Sequence, residues 1–149
     1  LLETVAQTLR LLGVKRAYVV HGSCLDEAAV HGTTEIAELK EDGTIERSTL
    51  TPADLGAKRL YSIEEIKGGA PAASALITEA ILAGKGTEAQ HAFVTANLAL
   101  LLKIGGLAKS LPEAVELARR TMASGKGLEV LNAHRAYAAS HTASSQKAA

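Results

Sequence analysis

Ala17-Tyr18-Val19-Val20-His21-Gly22-Ser23-Cys24-Leu25-Asp26-Glu27 joins a short apolar run to a loop of small and charged residues. The uninterrupted run from Ala17 to Val20, with Gly13 before it and His21-Gly22 after, reads as a strand buried on both faces. Strands of that kind lie under helices in parallel sheets. Upstream, Leu1, Leu2, Val5, Ala6, Leu9 and Leu12 repeat at the helical period. Gly13 is placed to end that helix, because glycine takes positive φ without strain. Helix, tight turn and strand make half of an α/β unit, and in such sheets ligands bind beyond the carboxyl ends of strands. The loop from His21 to Glu27 occupies that position. The helical stripe has no N-cap residue before it, the pattern expected of a piece of something longer.

Further along, residues 33–40 and 44–50 flank Glu41-Asp42-Gly43, a hairpin signal. Ser62 with Glu65 forms a capping box opening a short helix that stops at Gly68-Gly69. From there the pattern is helical over residues 72–83, closed by Gly84, and over a long apolar segment capped by Thr87 with Gln90 and ending near Gly105-Gly106. Ser110, Pro112 and Glu113 open another helix reaching Ser124-Gly125, and residues 128–139 read as a last one. No linker divides the chain, so residues 1–139 are expected to form one α/β domain. Residues 140–149, rich in Ala and Ser, are expected to be frayed or disordered.

Composition narrows the function. Sixteen Lys plus Arg balance sixteen Asp plus Glu, and there are only three Tyr, one Phe and no Trp among 149 residues. A neutral chain with so few aromatics is a poor nucleic-acid binder. Its single cysteine cannot form an internal disulfide, so the expected setting is reducing and cytoplasmic. The longest apolar segment, residues 92–102, is interrupted by Thr95 and Asn97 and is too short to span a membrane.

Asp26 and Glu27 are the candidate metal-binding residues. Hard divalent cations such as Mg²⁺ are commonly held by one or two carboxylates together with substrate phosphates. The same dipeptide also suits the first turn of a helix, where acidic residues favour the macrodipole, and spacing alone favours that reading. His21 and His31 flank the loop without a zinc spacing. Cys24 lacks a positioned base and reads as a small residue packed in a tight loop. Gly68-Gly69 precedes a helix but lacks the Lys and Ser/Thr of a phosphate loop, which favours a plain helix-end turn. Asn97, alone in an apolar helix, reads as a hydrogen-bonded packing or capping residue.

The segment from Tyr18 to Glu27 resembles the strand and loop of anthranilate phosphoribosyltransferases, whose pattern is V-V-H-[GS]-x-G-[LIM]-D-E. Thr34-Glu35-Ile36-Ala37-Glu38-Leu39 with Asp42-Gly43 is similar to that family's T-x-V-A-E-L…D-G-x-I. Leu50-Thr51-Pro52-Ala53-Asp54-Leu55-Gly56 is similar to its L-T-x-E-D-F-G. Gly68-Gly69, Leu82-Ala83-Gly84-Lys85-Gly86 and Thr95-Ala96-Asn97-Leu98-Ala99-Leu100-Leu101 follow in family order, so the likeness runs to about Leu131. Two departures stand out. Cys24 occupies a glycine position of the pattern, and Pro71-Ala72-Ala73-Ser74 replaces x-P-E-E-N after the paired glycines.

The resemblance implies the C-terminal portion of a nucleoside phosphorylase/phosphoribosyltransferase-like catalytic domain, a mixed or parallel sheet flanked by helices. It implies transfer of a phosphoribosyl group from phosphoribosyl pyrophosphate to anthranilate in tryptophan biosynthesis, with Mg²⁺ held by Asp26 and Glu27. It also implies a homodimer in the complete enzyme, and the glutamine amidotransferase component of anthranilate synthase as a partner. The family's G-T-G-G-D loop, its K-H-G-N segment and its anthranilate-contacting arginine belong to an upstream portion, so the 149 residues are expected to be inactive alone. Two rivals are a pyrimidine nucleoside phosphorylase-like enzyme, against which the Asp-Glu pair argues, and a non-catalytic nucleic-acid-binding paralogue, which should have lost that pair and gained basic surface.

Overall fold

A computed structural model describes the backbone of residues 1–146 and the side chains of residues 1–141. The order is α1 (Leu2–Leu11), β1 (Ala17–Gly22), β2 (Thr34–Leu39), β3 (Ile45–Leu50), α2 (Ile63–Ile66), α3 (Pro71–Leu82), α4 (Glu88–Ile104), α5 (Leu111–Ala123) and α6 (Lys126–Gln146). The α/β class is as the sequence implied. Local signals translate directly into local structure. Gly13, Gly84, Gly106 and Gly125 all take positive φ at or just beyond helix ends. Capping boxes close the N-termini of α2 and α4, through Ser62 with Glu65 and Thr87 with Gln90. Arg59 and then the Ser62 amide hold the Glu65 carboxyl down to about 2.

The described residues fall into two compact units, one of Leu1–Lys67 with Thr87–Arg119 and one of Gly68–Gly86 with the described residues from Arg120 onward. In the first, the strands form one sheet in the order β1-β2-β3, and both pairings are antiparallel. This corrects the parallel neighbours read from the apolar run at Ala17 to Val20. Those four residues are half-buried, not covered on both faces. β1 is an edge strand and β2 lies between β1 and β3, so β2 has the two-sided burial. Ile36 is in the core with Leu55, Tyr61, Ala96 and Leu100, while its neighbour Ala37 points to the opposite face and is equally buried. Contacts between α1 and the sheet cover that second face, where Ala6 is fully buried.

The second unit pairs α3 with α6. Gly127 lets the helices approach, since a Cβ there would lie 2.7 Å from Leu82 Cδ2. A Glu79–Arg135 ion pair at 2.7 Å ties them further, and Arg135 holds the Glu79 carboxyl below its usual range. None of its described residues is fully buried. Of the tail expected to be frayed or disordered from residue 140, α6 includes the positions up to Gln146. Residues 147–149 of that expectation lie outside the described residues.

Candidate functional site

The loop leaving β1 is built from short polar ties. Gly22 and Leu25 exchange backbone hydrogen bonds of 3.0 and 2.8 Å, reversing the chain over Ser23 and Cys24. Both central residues take positive φ, 41° at Ser23 and 76° at Cys24. Position 24 therefore does adopt the conformation that glycine favours, and Cys24 adopts it with a side chain. Two side chains hold the turn. Ser23 Oγ donates to the Thr33 carbonyl at 3.0 Å, and His31 Nε2 donates to the Ser23 carbonyl at 2.8 Å. Gly32 makes room, because a Cβ there would collide with Ser23 Oγ.

Past the turn the backbone folds over Gly22. A Cβ on Gly22 would collide with the Glu27 carbonyl oxygen and meet the Ala29 nitrogen at 2.6 Å. Ala28, Ala29 and Val30 are fully buried. The Ala29 amide donates to Thr34 Oγ1 at 2.9 Å, and Val30 accepts from the Tyr61 amide at 3.1 Å. Asn97 of α4 bonds both backbone groups of Ala28, as its isolation in an apolar helix led one to expect.

Asp26 and Glu27 lie between these two fixed points and are exposed. They are not in a helix, so the first-turn explanation of the acidic pair fails. Neither carboxylate has a hydrogen bond or ion pair among the described residues. Two oxygen-donor side chains presented by a fixed backbone fit a hard cation that takes its remaining ligands from substrate and water. The pair does not make a complete cage, and no group of three His, Cys, Asp or Glu capable of holding a metal occurs among the described residues.

Glu27 also borders an apolar cleft of about 520 Å³ between β1 and α4, lined by Tyr18, Val20, Phe93, Leu101 and Ile104 among others. Burial, and then the neighbouring Glu38 carboxylate, push the Tyr18 hydroxyl above its ordinary pKa. His21 and Cys24 are exposed and take no part in these ties. Gly68-Gly69 belongs to the other unit, and Ser74 Oγ occupies the Gly69 amide at 3.1 Å. Consistent with the lost acids and amide of that segment, α3 has Ala70 at its N-cap and no side-chain cap. Sequence reasoning missed Ser23, Gly32 and Thr34 as supports. Their small or hydroxylated side chains were a signal only once the fold-back of the loop was known.

The family model described as "Glycosyl transferase family, a/b domain" matches residues 1–128. The chain belongs to this family. Within that glycosyl transferase likeness, an anthranilate phosphoribosyltransferase of Tolumonas auensis is 51% identical over 129 residues, covering 87% of this chain and 38% of the relative. One of Colwellia psychrerythraea is 51% identical over 131 residues, covering 88% and 35%. The crystal structure of anthranilate phosphoribosyltransferase from Thermus thermophilus aligns with a TM-score of 0.82 at 31% identity, over 91% of this chain and 39% of that one. The Saccharomyces cerevisiae enzyme in complex with phosphoribosyl pyrophosphate and Mg aligns at 0.74 and 19% identity, over 88% and 38%, a likeness of fold. The chain thus spans little more than a third of the curated relatives it matches. No described helix is long and apolar enough to cross a membrane.

Proposed function

We propose that this chain is part of a longer polypeptide that transfers a phosphoribosyl group from phosphoribosyl pyrophosphate to the amine of anthranilate, releasing pyrophosphate. The observation that carries the reading is the exposed, unpartnered Asp26-Glu27 pair on a fixed loop, in a chain half identical to enzymes named for that reaction. Asp26 and Glu27 would hold Mg²⁺, directly or through water. When bound, the metal supplies positive charge beside a leaving pyrophosphate. The chain's own contribution is placement. The Gly22–Leu25 turn and the buried segment from Ala28 to Val30 fix the backbone on either side of the carboxylates, so little reorganisation is needed when substrate arrives. A cytoplasmic homodimer working beside the glutamine amidotransferase component of anthranilate synthase completes the proposal, on the family resemblance.

Steady-state turnover with anthranilate and phosphoribosyl pyrophosphate tests it. The full-length polypeptide is expected to turn over with both substrates and Mg²⁺. The 149-residue chain alone is expected to give none, because the family's phosphate-cradling loop is absent from its sequence. An inactive full-length protein, or an active isolated chain, would overturn the assignment.

A further inference from the structure

Asn97 sits in the middle of α4, 69 residues from Ala28 in sequence, yet it makes both backbone hydrogen bonds of that loop residue. Its Oδ1 accepts from the Ala28 amide at 2.9 Å, and its Nδ2 donates to the Ala28 carbonyl at 3.2 Å. The second Nδ2 hydrogen goes to the Phe93 carbonyl one helical turn back, at 3.0 Å. Both amide donors are therefore spent, and the orientation of the group is fixed. A flipped amide would set NH₂ against the Ala28 N–H and oxygen against two carbonyls. Ala28 is fully buried, so its backbone groups depend on this side chain in the way that a strand residue depends on a neighbouring strand. Glu27 is the preceding residue.

We infer that Asn97 is a positioning residue for the acidic pair, acting through the Ala28 backbone to set where the Glu27 carboxylate points. The inference rests on the reading of Asp26-Glu27 as the metal site. It gives the pair a support like those that orient metal ligands generally, whose loss costs roughly 10–100-fold in metal affinity. Asn97 has no side-chain donor left for a ligand, since both Nδ2 hydrogens go to backbone carbonyls. Aspartate keeps the acceptor for the Ala28 amide but loses both donors, whereas leucine of similar size loses everything.

The test uses the full-length polypeptide and Mn²⁺ with inorganic pyrophosphate as probe, followed by electron paramagnetic resonance, beside hydrogen exchange at the Ala28 amide. Asn97→Leu is expected to weaken Mn²⁺ binding about tenfold and to speed Ala28 exchange. Asn97→Asp should weaken binding by a smaller factor and keep Ala28 protected, which also covers the case where the leucine variant does not fold. Val115→Ala, on the buried face of α5, controls for stability and should leave Mn²⁺ binding unchanged. Mn²⁺ affinity equal to wild type in a folded Asn97 variant would overturn the inference. So would a loss matched by Val115→Ala. Asp26→Asn with Glu27→Gln separates the two readings: if that pair leaves binding unchanged, the metal assignment falls and the inference with it, whereas loss there without loss at Asn97 removes only the positioning role.

Discussion

The two tight reversals in the sheet unit are built from opposite materials. The turn from β2 to β3 runs through Glu41-Asp42-Gly43 and places glycine, at φ 85°, on its left-handed residue. The turn after β1 asks for positive φ twice and receives Ser23 and Cys24. Left-handed backbone costs a non-glycine residue about 1–2 kcal/mol, so the second turn persists only because its surroundings over-determine it. Those surroundings are Ser23 Oγ on Thr33, His31 on Ser23, and the Glu27–Ala29 backbone folded onto Gly22. The β2–β3 turn connects strands. The strained one presents the acidic pair, and strain held by converging ties is a mark of places where geometry matters to function.

The largest effect should come from removing the charges that the strained loop presents. In the full-length polypeptide, Asp26→Asn with Glu27→Gln is expected to lower turnover by about 100-fold or more, since such stabilisation of developing charge is worth that much. Thermal stability should stay within about 0.5 kcal/mol, because both side chains are exposed and unpartnered. Turnover measured against Mg²⁺ concentration should show partial recovery at high Mg²⁺. An unchanged Mg²⁺ dependence would reduce this turn to an ordinary, if strained, connection.

Next in size is the loss of the space under the loop. Gly22→Ala forces a Cβ into the Glu27 carbonyl and should destabilise by about 3 kcal/mol, the upper range for overpacking. Gly43→Ala meets only Arg10 Cδ at 3.7 Å, so it bears backbone strain alone, about 1–2 kcal/mol. Denaturant unfolding of the two variants compares them directly. Equal losses would mean that the β1 loop is not packed against Gly22 as described.

What the sequence made legible follows the range of the interactions involved. The hairpin at Asp42-Gly43, the capping boxes at Ser62 and Thr87 and the glycine stops depend on residues a few positions apart, and all appear where the pattern put them. Strand neighbours are set by distant residues. The apolar run at Ala17 to Val20 looked central and proved to be an edge, while Thr34–Leu39, with charges at Glu35 and Glu38, proved central. Each compact unit likewise joins segments separated along the chain. Asp26 and Glu27 stood out as carboxylates past a strand end, but spacing alone favoured a helix start, and only the resemblance implied a metal pair. Asn97 stood out as a polar residue in an apolar helix, but its partner lay too far away in sequence to be named.

Relieving the strain directly gives a smaller effect of opposite sign. Cys24→Gly removes about 1–2 kcal/mol of left-handed strain and adds about 0.4–1 kcal/mol of unfolded-state entropy. The net expectation is a gain of about 0.5–1 kcal/mol by denaturant unfolding, with turnover unchanged. Cys24 is exposed and makes none of the ties, so nothing else is lost. A destabilised Cys24→Gly variant would show that the turn needs the side chain, and that the contrast with Gly43 was misjudged.

The smallest effect is a difference in response to acid. Asp42 Oδ1 accepts the Thr44 amide at 2.9 Å, and this bond holds the Asp42 carboxyl below its ordinary value of 3.8. A group with a depressed folded pKa contributes its full stabilisation above the unfolded value, and loses it as pH falls through the folded one. The β2–β3 turn should therefore keep its side-chain support down to about pH 4 and lose it below. The Ser23 hydroxyl tie on the Thr33 carbonyl has no proton to gain in that range. Amide spectra recorded from pH 5 down to pH 2 should show Thr44 shifting with a midpoint under 3.8, while Leu25, bonded to the Gly22 carbonyl, moves less. Asp42 is fully exposed, so salt will shrink the effect, and global stability should hardly register it. A Thr44 midpoint at or above 3.8 would mean that the Asp42 tie does not hold in solution, and that glycine at position 43 shapes that turn unaided.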